Sequence, residues 1–560
     1  MNTHVSNNML SSLIATIHMP FRASTNRLIT RALLATLFCA GSAQAADVTA
    51  AWNVNADGNW SLGSNWSGGN AATGTTGVAY FTNAITASRT VNLDSSPWTI
   101  NGLTFTNTGS YGWVITNGTL NLAGTTPSIT VYTNSTVTIQ STISGSAGLQ
   151  KNNSPGQLIL SGSNIFTGTL AILGGEIKLG SANALNQTPG SENYINFNGA
   201  VGVTTLTLNG NSIVASQIRG VSGVAFIQNA SPTPATLTVG NSLNLGSTTW
   251  AGGLKDGAGG GALTLVKVGT GTLNMGTGGS THSGGVFIKS GTVASVAGVN
   301  GDKSFGPNIV TIGDNLVGLA ATLKLVNTGV NPWTNSITIA SGAGTRTIWG
   351  TYDAAVSTWS GAIAMNTNLT LQITTATTSP TLIFSGGFTG TGSLTLRADN
   401  TTAGGIILSN ATVNMIGTII NAGTGTVGFA DTTIKAPIGS NVTGILQNST
   451  NSILKLSGAN TAYAGTTTVS KGTLEITTNT CLGAASSVVI ADGGAKVKLN
   501  FIGTNTINTL YFGSKLQYKG TWGSNASTAD HKSDTYFEST STGMLKVTGG
   551  LVNSTMIRFF

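Results

Sequence analysis

Three stretches of this chain superimpose without a gap, and they restrict what it can fold into more than any other feature. Gly168 to Leu179 reads Gly-Thr-Leu-Ala-Ile-Leu-Gly-Gly-Glu-Ile-Lys-Leu. Gly284 to Ser295 reads Gly-Gly-Val-Phe-Ile-Lys-Ser-Gly-Thr-Val-Ala-Ser, and Gly465 to Ile476 reads Gly-Thr-Thr-Thr-Val-Ser-Lys-Gly-Thr-Leu-Glu-Ile. In each, an apolar residue (Ile172, Ile288, Val469) precedes a glycine (Gly175, Gly291, Gly472) that precedes a second apolar residue (Ile177, Val293, Leu474). A glycine fixed between two short runs predicts a tight turn with positive φ. Alternation on either side of it sends every second side chain to the same interior. Gly162, Gly168, Gly284, Gly458 and Gly465 are the other turn positions of the repeat.

The rest of the chain speaks the same language. Thr-Leu-Asn-Leu at 119–122, Thr-Val-Thr-Ile at 136–139 and Gln-Leu-Ile-Leu at 157–160 alternate apolar and polar residues, with Gly, Asn and Ser between such runs. No stretch after residue 46 sustains a helical period, so the expectation is an all-β fold. Gly is 77 of 560 residues and charged residues are only 7%, a composition that raises disorder as an alternative. The 40% hydrophobic share, much of it β-branched, argues for a folded chain instead.

A further match lies upstream of two repeats, where Leu160-Ser161-Gly162-Ser163-Asn164 corresponds to Leu456-Ser457-Gly458-Ala459-Asn460. The combined pattern, Leu-Ser-Gly-x-Asn-x-Φ-x-Gly and then Gly-x-Leu-x-Leu, resembles the autotransporter-associated β-strand repeat, also called the passenger-associated transport repeat. Residues 160–179 and 456–476 match well, and 269–295 match less closely, with Met275 where Leu-Ser-Gly begins. The opening is similar too, through Trp52, Gly58, Trp60, Asn65-Trp66 and Gly102-Leu103-Thr104-Phe105. So is the ending, through Asp534-Thr535-Tyr536-Phe537 and Gly543 to Val547. Residues 185–265 and 300–440 share only the style. The resemblance implies a right-handed parallel β-helix, a pectin-lyase-like solenoid with about 22 residues per turn and a cap at each end.

The expected organisation is a signal region at 1–45, a Trp-rich cap with the first turns at 47–115, the solenoid at 116–512, and a cap and tail at 513–560. Arg27 and Arg31 precede an apolar run at 32–40, and Ala43-Gln44-Ala45 is a small-x-small cleavage site before Ala46. Met19 is an alternative start. Phe38 before Cys39 argues against a lipidation site. The chain is therefore expected outside the cell or on its outer surface. No other segment has the length and apolarity of a membrane-spanning helix. Too few residues follow Ile476 for a membrane barrel, which leaves a passenger without its own translocator as one reading.

Chemistry is sparse. The sixteen acids are scattered, and the one close set is Asp530, Asp534 and Glu538 around His531. A polar loop or cap is the expectation there, with a cation site as the alternative. Glu176 and Glu192 lie on neighbouring turns and are candidates for a carboxylate pair. His282 and His531 stand far apart, so no zinc site is expected. Cys481 lacks a partner for a disulfide. Gly269-Thr-Gly271 and Gly390-Thr-Gly392 look like dinucleotide loops but lead into strand patterns. Asn55-Ala-Asp57-Gly-Asn59 looks like part of a calcium loop but lacks its closing acid. The N-terminal tryptophans suggest core and cap packing, with sugar stacking as the second reading.

Net charge is +8, and +5 without Arg22, Arg27 and Arg31 (21 basic minus 16 acidic residues), a surplus without any Lys/Arg run. Nucleic acid is not expected as a partner. The leading expectation is a monomeric, cofactor-free structural or adhesion protein without catalysis, whose partners are glycans or cell-surface components. The alternative is a polysaccharide-acting lyase or glycosidase.

Overall fold

A computed structural model describes residues 46–552, apart from 95–96, 107–110, 222, 242–245, 277, 296–303, 317, 327–331, 352–355, 375–379 and 427–429. The expected signal region, with Ala43 and Ala45, lies outside the described residues. Ala46 is the first of them and is exposed.

Asp47 onward forms one compact unit. Among the described residues there is no α-helix, only two 3-10 turns at Gly63–Asn65 and Ser67–Gly69. Strands of two to seven residues stack in parallel into a β-solenoid. An eight-stranded sheet runs from Ala50–Ala51 to Gln217–Arg219, and a nine-stranded sheet from Gly58–Asn59 to Gly253–Lys255. Three strands, Trp98–Ile100, Thr119–Leu122 and Thr142–Ser144, make a third side. Further on, an eight-stranded sheet runs from Ile213–Ala215 to Phe388–Gly390, a thirteen-stranded one from Ser247–Trp250 to Lys515–Leu516, and a seven-stranded one from Val356–Trp359 to Lys496–Leu499. A parallel bridge between Gly220 and Trp250 joins the first eight-stranded sheet to the thirteen-stranded one, so one face continues from the first half into the second.

The strand interiors explain the stacking. Ala321–Leu325, Leu369–Ile373 and Leu394–Ala398 each alternate buried and half-buried residues. Leu323, Ile348, Leu371 and Leu396 lie in register on successive turns, all fully buried. Such side chains each contribute about 1.5–3 kcal/mol on leaving water. Turn length varies more than the expected 22 residues, from 19 between Gln157 and Glu176 to 33 between Gly58 and Val91. The reason is physical. Stacking constrains the strands, while loops between them can lengthen at small entropic cost.

At the N-terminal end Trp52, Trp60 and Trp66 pack edge-on beside Phe81, which stacks on Phe105 at 4.7 Å. Trp60 and Trp66 donate to the Ala72 and Trp60 carbonyls. These rings and Trp113 are buried, so sugar stacking on them is excluded. At the other end, Tyr511 pairs antiparallel with Leu516, and Gly520–Gly523 runs antiparallel to Met544–Val547. Phe512 stacks on Tyr536 at 3.9 Å there.

Candidate functional site

The repeats resolve into one turn design. In the first, Thr169–Ile172 and Gly175–Leu179 are the two strands; in the second, Val286–Ile288 and Gly291–Ser295; in the third, Thr466–Lys471 and Thr473–Ile476. Gly175, Gly291 and Gly472 have φ of 66°, 73° and 62°. A Cβ on them would sit 2.5 Å from the Ser154 carbonyl, 2.2 Å from that of Gly269 and 2.1 Å from that of Ser449. Two constraints thus demand glycine, a left-handed backbone and a carbonyl of the turn below with no room for a side chain. Gly168 also has positive φ, at 87°. Gly162, Gly284, Gly458 and Gly465 do not, and there the nearby backbone alone demands glycine. In the second repeat, the positive φ falls on Gly285.

Those same three carbonyls have a second partner that sequence reading missed. Lys151 pairs in register with Ile172, Lys267 with Ile288 and Gln447 with Val469, and all three polar side chains are buried. Lys151 Nζ donates to the Ser154 carbonyl at 2.7 Å and the Gly174 carbonyl at 3.0 Å. Lys267 Nζ donates to Val268 and Gly269 carbonyls at 2.5 and 3.1 Å. Gln447 Nε2 donates to Ser449 and Ser452 carbonyls at 2.7 and 2.9 Å. Burial pushes both amines down to about 8. A buried donor thus satisfies the carbonyl over which the next glycine packs. The available signal was a polar residue at an inward position of an alternating run. Arg346 is buried in the same manner, its guanidinium donating to the carbonyls of Asp314 and Leu319 at 3.0 and 3.1 Å.

The Asn of Leu-Ser-Gly-x-Asn spans three turns. Asn164 Oδ1 accepts from the Ile143 amide and its Nδ2 donates to the Ala184 carbonyl, both at 2.7 Å. Asn460 does the same with Ile438 and Cys481, both at 2.8 Å. Ser280 stands in this place in the middle repeat and accepts only from the Leu254 amide, at 3.4 Å. Two residues before Gly168, Gly284 and Gly465 stand Phe166, His282 and Tyr463, all fully buried, with one extra residue between Asn460 and Tyr463. His282 is therefore a core aromatic, and among the described residues neither ring nitrogen makes a hydrogen bond of good geometry. Burial lowers its pKa to about 4, against opposing pulls from Asp256 and from the Gly285 backbone.

The candidate acids do not converge. Glu176 accepts from Gln157 Nε2 and Thr207 Oγ1, whereas Glu192 accepts from the Gly190 amide and Asn241 Nδ2. Asp530 holds the Thr521 amide and hydroxyl, and Asp534 holds Asn525. His531 stacks on Trp522 at 4.4 Å. The Asp530–Glu538 segment is thus a clip tying one chain segment to another. Asp57 accepts from the Thr90 amide, and Asn55 holds Thr86 and Arg89. Cys481 is buried, with Sγ donating to the Leu456 carbonyl. Gly269 and Gly392 lie between strands and Gly390 ends one, all three with positive φ. Where charges do stack they alternate in sign: Lys455 lies between Asp431 and Glu475, and Lys498 follows at 3.3 Å from Glu475. Among the described residues no three His, Cys, Asp or Glu side chains gather into a metal-binding group.

Comparison with known proteins agrees with this turn design. The family described as passenger-associated-transport-repeat matches at residues 153–179, 265–294 and 451–476. A stretch of 120 residues is 32% identical to the adhesin BmaC autotransporter of Brucella suis biovar 1 (strain 1330). It covers 20% of this chain and only 3% of that protein. The crystal structure of the Haemophilus influenzae Hap adhesin is similar over 84% of this chain and 61% of that one, at 14% identity and a TM-score of 0.25. So loose an overlay leaves the fold to rest on the strand pairing itself.

Proposed function

We propose that this chain, which carries three passenger-associated transport repeats, is a non-catalytic adhesive solenoid, exported through residues 27–45 with cleavage after Ala45 and presented outside the cell. The observation that supports it most is where the carboxylates go. Glu176, Glu192, Asp530 and Asp534 are each held by amides, hydroxyls or side-chain amides that have structural work of their own. Glycosidic hydrolysis takes two carboxylates facing one substrate bond at about 5–9 Å from each other. Elimination takes a free base beside a cation. The autotransporter adhesin that is 32% identical to this chain over 120 residues points the same way.

The full chain, expressed with its signal, should appear outside the cell with Ala46-Asp47-Val48 at its N-terminus. Beads coated with it should bind cells, and it should turn over no pectin, alginate, xylan or chitin. Turnover abolished by Glu176→Gln or Asp534→Asn would instead establish a polysaccharide-acting enzyme.

A further inference from the structure

The faces of the solenoid differ in charge in a way no local motif displays. Among the described strands, the face made by the first eight-stranded sheet and the thirteen-stranded sheet contains not one Asp or Glu, as is also true of the second eight-stranded and the three-stranded sheets. The nine- and seven-stranded sheets contain Glu176, Asp431 and Glu475.

Cations nevertheless project from the face of the first eight-stranded and thirteen-stranded sheets, and register puts them in one line. Arg219 neighbours Gly220, which bridges to Trp250 beside Thr249. From Thr249 the column runs through Asn274, Ala294, Lys324, Trp349 and Gln372 to Arg397. Lys471, paired with Asn448, lies on the same side farther along. Arg219 and Lys471 are exposed, and Lys324 and Arg397 are half-buried. Lys324 lies 4.8 Å from the centre of the Trp349 ring, and Arg397 touches Asp399 just beyond its strand at 2.9 Å. At the strand spacing of a sheet, Arg219 and Lys324 are about 19 Å apart, and Lys324 and Arg397 about 14 Å. Beside them runs a second column of hydroxyls, Thr272, Thr292, Thr322, Thr347, Thr370 and Thr395, one per turn.

We propose that this strip binds a linear acidic glycan lying along the solenoid axis, its sparse carboxylates meeting Arg219, Lys324 and Arg397 and its hydroxyls meeting the threonine column. The proposal rests on the adhesive reading above and names its ligand class. Charge density selects the glycan over nucleic acid. Duplex DNA carries one charge per about 1.7 Å, far denser than one cation per about 14–19 Å. A polymer with one carboxylate every one or two sugars suits both the wide spacing and the hydroxyls between.

The test uses the full exported chain with hyaluronate, alginate, neutral dextran and duplex DNA. Hyaluronate and alginate should bind, dextran should not, and affinity should fall roughly ten-fold between about 50 and about 300 mM salt, since exposed charges are screened. The triple variant Arg219→Gln, Lys324→Gln, Arg397→Gln should lose roughly ten-fold or more in affinity. Lys178→Gln with Lys255→Gln, on the nine-stranded sheet, should change nothing. An unaltered triple variant, or DNA held as tightly as hyaluronate, would overturn the strip. Adhesion to cells with no affinity for either acidic chain overturns the strip alone. Affinity for those chains without adhesion to cells overturns the adhesive reading alone.

Discussion

The first and third repeats and the middle one occupy the same backbone turn yet fill it differently. Asn164 and Asn460 each bridge the turn below to the turn above, and Phe166 and Tyr463 fill the interior beside them. In the middle repeat Ser280 makes one long bond, and His282 buries two ring nitrogens without a well-formed hydrogen bond among the described residues. The glycine turn itself is the same in all three, with φ from 62° to 73°. The backbone geometry is thus the invariant of the design. The side chains that sew one turn to the next can weaken while the strands still stack, because each turn borrows register from both neighbours.

The largest expected break in this comparison comes from the asparagines. Asn460→Ala strands the Ile438 amide and the Cys481 carbonyl in the interior, at about 1–3 kcal/mol for each group left unpaired. We expect a loss of about 2–4 kcal/mol, and Asn164→Ala should behave alike. Ser280→Ala, removing a single 3.4 Å contact, should cost under about 1 kcal/mol. Hydrogen exchange at the Ile438, Ile143 and Leu254 amides reads these effects turn by turn. Equal protection losses at all three would mean the middle repeat is sewn as firmly as the others.

His282 sharpens the contrast next. Its folded pKa of about 4 lies below the ordinary histidine value of 6.5, so between the two the unfolded chain binds the extra proton. The contribution is unimpaired above pH 6.5 and declines as pH falls through 6.5 towards 4. At about pH 5 the loss is about 2 kcal/mol. His282→Phe, which copies Phe166, should remove that acid sensitivity around the middle repeat. Denaturant midpoints measured from pH 7.5 down to pH 5, for wild type and variant, decide it. Parallel curves would show that His282 does not carry the acid response.

Most of the fold was legible because strand alternation and turn glycines are local. Ile172, Gly175 and Ile177 announce two strands and a turn within one short window. Residues 185–265 and 300–440 resisted alignment because their turns are uneven; Ala294 to Lys324 takes 30 residues where Met275 to Ser295 takes 20. The site was far less legible. Asn164 could be quoted as part of a pattern, yet its partners Ile143 and Ala184 become neighbours only through stacking. Nothing in its own sequence window marks His282 as a core residue; its burial matches that of the aligned Phe166 and Tyr463, both fully buried. The line of Arg219, Lys324 and Arg397 exists only in register, since 105 and 73 residues separate them in sequence.

The smallest effect tests the part of the turn that composition hides best. A charged lysine in an interior invites the inference that its charge matters. The third repeat argues otherwise, because Gln447 takes the same position and donates to the same kind of carbonyl without any charge. What the turn needs is a donor under the glycine. Lys151→Gln should therefore change stability by less than about 1 kcal/mol, since the lost reach to the Gly174 carbonyl is offset by relief from burying an amine whose pKa is already pushed down to about 8. Lys151→Met keeps the volume but leaves the Ser154 and Gly174 carbonyls unpaired, and should cost about 1–3 kcal/mol. Exchange protection of the Leu173 amide, which donates to the Lys151 carbonyl at 3.0 Å, follows the local turn in both variants. A Gln variant as damaged as the Met variant would show that the turn requires the cation itself, and that Gln447 marks a different solution.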